Sequence, residues 1–208
     1  MIGVGPSPAN FAQGNPRRSG SGRMLAIAVA SDNQRVYLGS YAGVWRSDDG
    51  GRNFRQMVRP QPSSFDADVA GALHAPHVLD IAVSPADPSV VLAVAQRGNF
   101  NPTRNGVYRS TDGGIHWTLV LTAVSVGQVA FAPDDGNLAM AALGSAVATS
   151  RDGGATWTLA PANPAWHVAI GPREASGVRR AYAAGDRETD AGRAAGDDGR
   201  AALEVEDL

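Results

Sequence analysis

The chain has no cysteine, which excludes disulfides, thiolate-bound metals and cysteine nucleophiles. It has no lysine either, so all 18 of its basic residues are arginine; with abundant Ala and Gly, this is the composition of GC-rich coding. Set against 20 acidic residues, the arginines leave a formal net charge of -2. That balance offers no general attraction to nucleic acid or to an anionic membrane. No apolar run is long enough to span a bilayer, and residues 1–23 lack the apolar h-region of a secretory signal. A helical bundle is disfavoured by 25 glycines and 13 prolines, whereas 43% hydrophobic residues suffice for a core.

What is present is a phrase used three times. It reads Ser47-Asp48-Asp49-Gly50-Gly51-Arg52-Asn53-Phe54, then Ser110-Thr111-Asp112-Gly113-Gly114-Ile115-His116-Trp117, then Ser150-Arg151-Asp152-Gly153-Gly154-Ala155-Thr156-Trp157. The shared pattern is Ser, any residue, Asp, Gly, Gly, two residues and an aromatic. A β-rich stretch precedes each copy. Paired glycines supply the positive φ of a tight turn. The carboxylate accepts backbone N–H groups within that turn, and the serine hydroxyl adds a second local bond. The aromatic then opens the outgoing strand and packs inward, a burial that contributes about 1.5–3 kcal/mol. The phrase is a self-contained hairpin lock.

Around each lock the hydrophobic pattern gives short strands in succession. In the first unit Met24-Leu25-Ala26-Ile27-Ala28-Val29-Ala30 places Leu25, Ile27 and Val29 on one face and alanines on the other, a pattern that predicts burial on both sides. Val36–Ser40, Gly43–Arg46 and Phe54–Met57 follow. The second unit runs from His77 to Val83, then Val90–Ala95, Gly106–Arg109 and His116–Leu121. In the third, Gln128–Ala132 and the turn Pro133–Gly136 precede Leu138–Leu143, Ala146–Thr149 and Thr156–Leu159. A fourth opens with Trp166–Ile170 and Arg180–Ala184. The box serines stand 63 and 40 residues apart, and the shorter spacing suits one four-stranded propeller blade. Insertions at 60–76 and 97–105 account for the longer one. The expected organisation is a Gly/Pro/Ser-rich flexible lead-in over 1–22, blades over 23–60, 77–122, 126–161 and 166–184, and a polar tail over 185–208. That tail reads either as a decayed fourth box or as a disordered segment unrelated to the repeat.

The phrase resembles the Asp-box, or bacterial neuraminidase repeat, of sialidases, xyloglucan-cleaving glycoside hydrolases, sortilin-type receptors and photosystem II assembly factors. The resemblance covers about residues 23–184. It implies an all-β fold, a β-propeller of four-stranded antiparallel blades that is incomplete here, with three full blades and part of a fourth. It also implies that the box residues Ser47, Asp49, Gly51, Phe54, Ser110, Asp112, Gly114, Trp117, Ser150, Asp152, Gly154 and Trp157 are structural. Family members are often secreted. The arginine of the sialidase triad is not carried over, because Gly22-Arg23-Met24-Leu25 departs from the family segment. The xyloglucanase aspartate after the second strand is missing from Gly39-Ser40-Tyr41-Ala42.

Among other candidates, Asp80 is the one carboxylate in an apolar first strand. It is either a channel-facing acid or ligand contact, or an aspartate at the strand's wet end bonded to neighbouring backbone. His74 and His77 flank Ala75-Pro76 without a third ligand, and Asp48-Asp49-Gly50-Gly51 lacks the alternating ligands of a calcium loop. No metal and no cofactor are therefore expected. Trp45 and Tyr108 hold equivalent positions before their boxes and read as core. Tyr41 and Phe100 lie in loops and are candidate ligand contacts. The expected activity is non-catalytic binding of a protein or glycan through rim loops, the alternative being a piece of an exo-sialidase or xyloglucanase. Because an open arc would expose the faces of its first and last blades, further propeller blades or a second copy of the chain are expected to cover them.

Overall fold

The computed structural model describes residues 9–10, 19–20, 23–57, 73, 77–96, 102–161, 165–185, 200–201 and 204–205. A two-residue pair, β1 (Ala9–Asn10) with β2 (Ser19–Gly20), lies within the stretch read as a lead-in. Three antiparallel meanders follow. The first sheet is β3 (Met24–Val29), β4 (Val36–Ser40), β5 (Gly43–Ser47) and β6 (Arg55–Gln56). The second is β7 (His77–Val83), β8 (Val91–Gln96), β9 (Gly106–Ser110) and β10 (Thr118–Thr122). The third is β11 (Val129–Ala132), β12 (Asp135–Ala142), β13 (Ala146–Ser150) and β14 (Thr158–Pro161). A fourth sheet joins β15 (His167–Arg173) to β16 (Arg179–Ala184). Two short strands from the stretch read as a polar tail, β17 (Arg200–Ala201) and β18 (Glu204–Val205), pair with β16. Successive sheets stack face to face as the blades of an incomplete β-propeller. No helix among the described residues is long and apolar enough to cross a membrane.

The alternation along the middle strands explains the stacking. In β8, Val91, Ala93 and Ala95 join Tyr37, Val44, Ile81, Tyr108 and Trp117 in the core between the first and second sheets. Leu92 and Val94, pointing the other way, join Val107, Val129, Ala139, Ala141 and Ala148 between the second and third. In β12 the pattern recurs: Met140 and Ala142 join Val147, Val168, Ala181 and Ala183 against the fourth sheet. A stretch that supplies two cores must be apolar at every position, and β8 is so from Val91 to Ala95 and β12 from Leu138 to Ala142.

The first strand departs from expectation. Ile27 is 67% and Val29 56% exposed, and β3 packs on the core shared with the second sheet through the partly buried Ala26 and Ala28. Among the described residues no sheet lies on its other face.

Candidate functional site

Each box joins the third strand of its sheet to the fourth, and the three copies share one hydrogen-bond plan. The glycine pairs take φ of 69 and 86°, 72 and 87°, and 71 and 82°. Each serine hydroxyl donates to the Oδ1 of its aspartate, at 2.7, 2.8 and 2.8 Å, and accepts the N–H of the second glycine at 2.9, 2.8 and 2.8 Å. The same Oδ1 accepts two further amides: Arg52 and Asn53, Ile115 and His116, or Ala155 and Thr156, all at 2.9–3.0 Å. The second oxygen meets the side chain just before the aromatic, which is Asn53, His116 or Thr156, at 2.6–2.7 Å. This last contact was missed in the sequence because Asn, His and Thr share no residue type, only a polar atom at the right reach.

These bonds lower the carboxylate pKa values. The Thr156 hydroxyl and amide, with Ser150, hold Asp152 down at about 2. Burial pushes Asp112 up, but His116 and Ser110 outweigh it and bring it to about 2. The Ser47 hydroxyl and the Asn53 amide hold Asp49 well below the usual carboxylate range. Trp117 and Trp157 donate Nε1–H to the carbonyls of Gly114 and Gly154 at 3.0 and 3.1 Å. Trp117 is only 2% exposed, Trp157 more so.

Arginines that the motif does not include tie the second and third boxes to the preceding sheets. Arg46 donates to the Gly113 carbonyl at 2.7 Å, and Arg109 to the Gly153 carbonyl at 2.8 Å. Both immediately precede a box serine, which is the signal that could have found them. Thr149 stands at that position in the third sheet.

Asp80 lies on β7, the innermost strand of its sheet, and is half-buried. Its Oδ2 accepts the amide of Val129 on β11 at 3.0 Å. Burial raises its pKa against the lowering effects of the Val129 and Ile81 amides. Gln128 repeats the arrangement one sheet on, its Oε1 accepting the amide of Val168 at 3.1 Å.

On the rim opposite the boxes, Tyr41 at the β4–β5 tip is 42% exposed. Its ring meets that of His77 edge-on, with centroids 4.7 Å apart and planes at 69°. Phe100 and His74 lie outside the described residues. Two open clefts flank the box side. One of about 200 Å³ lies between Arg109, Asp112, His116 and Ala155, and one of about 350 Å³ lies against Arg151, Asp152 and Thr156.

No family model matches the chain, and neither does any curated protein. Solved structures do match. An ancestral GH74 enzyme superposes with a TM-score of 0.56 at 20% identity, over 78% of this chain and 22% of that one. The GH74 xyloglucanase from Xanthomonas campestris gives 0.51 at 18%, over 82% and 23%. YCF48 bound to D1 peptide gives 0.50 at 13%, over 90% and 55%. The chain thus spans between about a fifth and just over half of these structures. At such identities the likeness shows the propeller fold.

Proposed function

We propose that the chain is a non-catalytic propeller module of Asp-box type that binds a protein or glycan through its rim. The observation that carries this reading is the fate of four described carboxylates, the three of the boxes and Asp80. Asp49, Asp112 and Asp152 spend both oxygens within their own turns. Asp80 is engaged by the amide of the next sheet. Glycoside hydrolysis needs two carboxyl groups free to handle a proton and a nucleophile across one bond. The box residues are accordingly assigned to scaffolding. The pair of exposed Tyr41 and half-buried His77 is assigned to ligand contact, since an aromatic edge and an imidazole suit a sugar face or a peptide side chain equally. YCF48, bound to D1 peptide, supports a protein ligand.

The test is titration with xylogluco-oligosaccharides and with a peptide library, followed by Tyr41→Ala. A bound member of either set should lose at least about tenfold affinity, roughly 1.4 kcal/mol. Binding indifferent to Tyr41 would refute the rim assignment.

A second reading, a piece of a glycoside hydrolase, draws on the likeness to GH74 enzymes and on Asp80, whose raised pKa is what a general acid requires. Turnover of xyloglucan or an aryl sialoside that Asp80→Asn abolishes would favour it over the first.

A further inference from the structure

The four sheets use one interface rule, and the rule leaves one partner position open at each end. On the side facing the following sheet, each sheet presents a cross-strand pair made of an innermost-strand alanine and a large side chain. These pairs are Ala28 with Tyr37, Ala82 with Leu92, Ala130 with Met140, and Ala169 with Tyr182. On the side facing the preceding sheet, each innermost strand presents an aliphatic residue. These are Ile27, Ile81, Val129 and Val168, opposite Leu38, Ala93, Ala141 and Ala183 respectively.

Three of these aliphatic residues are seated. Ile81 packs in one core with Tyr37, Val129 with Leu92, and Val168 with Met140. Ile81, Val129 and Val168 are 4, 3 and 5% exposed, and Tyr37, Leu92 and Met140 are 0, 0 and 1%. The remaining two halves are not seated: Ile27 is 67% and Tyr182 47% exposed. They belong to opposite ends of the arc and to the same kind of contact. Ala169 and Tyr182 match Ala28 and Tyr37 residue for residue, and Ile27 matches Ile81, so the free ends reproduce the contact between the first and second sheets.

A hydrogen-bond rule points the same way. Asp80 and Gln128 each precede an aliphatic residue of this set in sequence, and each accepts the amide of the next one, Val129 and Val168. His167 precedes Val168 at the same position, and a following sheet would bring it one further amide.

We propose that two copies of the chain close head to tail, the fourth sheet of each receiving the first sheet of the other. Ile27 of the partner subunit then seats on Ala169 and Tyr182, and its amide faces the His167 ring. Two such contacts make a two-fold ring of eight sheets, within the four to eight blades that close a propeller. Both terminal faces are covered together. The contact is independent of what the rim binds.

Light scattering on the eluting full chain tests this. The mass should be twice 21.5 kDa and should not depend on loading. Ile27→Glu and Tyr182→Glu should each halve it. Both side chains are exposed in the single chain, so far-UV circular dichroism should be unchanged, and the pair guards against a folding defect in either variant. A monomeric parent would overturn the proposal and leave the faces to blades of a longer chain. So would masses that grow with concentration, or a dimer indifferent to both substitutions.

Discussion

Truncating Trp117 to alanine should destabilise the protein far more than the same change at Trp157. The two tryptophans end boxes of the same pattern and make the same Nε1–H bond, 3.0 Å to Gly114 and 3.1 Å to Gly154. They differ in surroundings. Trp117 is 2% exposed and sits in the core between the first two sheets. Trp157 only borders the core between the second and third. Removing a fully buried tryptophan costs about 3–5 kcal/mol, through lost transfer energy and the cavity left behind. For Trp157, leaving on the order of 50 Å² of ring in water forgoes about 1.3 kcal/mol of that, and an open site leaves less cavity. The expected losses are about 4 kcal/mol for Trp117→Ala and about 2 kcal/mol for Trp157→Ala. For a chain of this size they correspond to falls in Tm of roughly 8–16 °C and 4–8 °C. Urea and thermal melts followed by far-UV circular dichroism avoid the change in fluorescence. Trp117→Phe should recover most of the loss, since the first box already carries Phe54 at this place. Equal losses at the two sites, or a larger one at Trp157, would refute the assignment of the aromatic's role to burial between sheets.

Asp152 is held at a pKa of about 2 against an ordinary 3.8, so the stability it contributes is complete above about pH 5 and drains as pH falls through 2. Asp152→Asn should therefore flatten the fall of the urea midpoint over that window, and an unchanged slope would count against the turn's electrostatic role. Arg46→Met strips the Gly113 carbonyl of a buried donor and should cost about 2 kcal/mol by urea denaturation. Arg109→Met should cost less, because Arg109 is less buried. Gly127→Ala would drive a Cβ into the backbone carbonyl of Trp166. Backbone must move to accommodate it, so a loss above about 3 kcal/mol is expected, read as lowered soluble yield and Tm.

The fold was legible where its chemistry is local. Ser, Asp and two glycines within five residues can satisfy one another without help from elsewhere, and they do so three times. Strand ends were less legible. The aromatic was expected to open the outgoing strand, yet β10 begins at Thr118 and β14 at Thr158. The amides of His116 and Thr156 are already taken by aspartate oxygens and are not available to a ladder. β12 starts at Asp135, inside the expected turn, with a register shift between Phe131 and Ala132 absorbing the difference. The burial of β3 was misjudged because alternation shows that a face is apolar, not that something covers it. Arg46, Arg109 and Gln128 went unread for a related reason: each is satisfied by the next sheet. Asp80 stood out in sequence as an isolated acid, and only the position of Val129 shows what its oxygen meets.

The alternation along β8 and β12 bears on how the chain folds and how it can change. A residue in these strands serves one core and its neighbour in sequence serves another, so no sheet holds all the contacts that stabilise it. Stability then accrues from nearest-neighbour couplings along the arc, as in a one-dimensional array. Amide exchange in β8 should be as slow as global unfolding, whereas β3, with one covered face, should open earlier. For the same reason a sheet can be gained or lost without redesigning the rest, provided the newcomer brings an alanine and a large residue on one side and an aliphatic on the other.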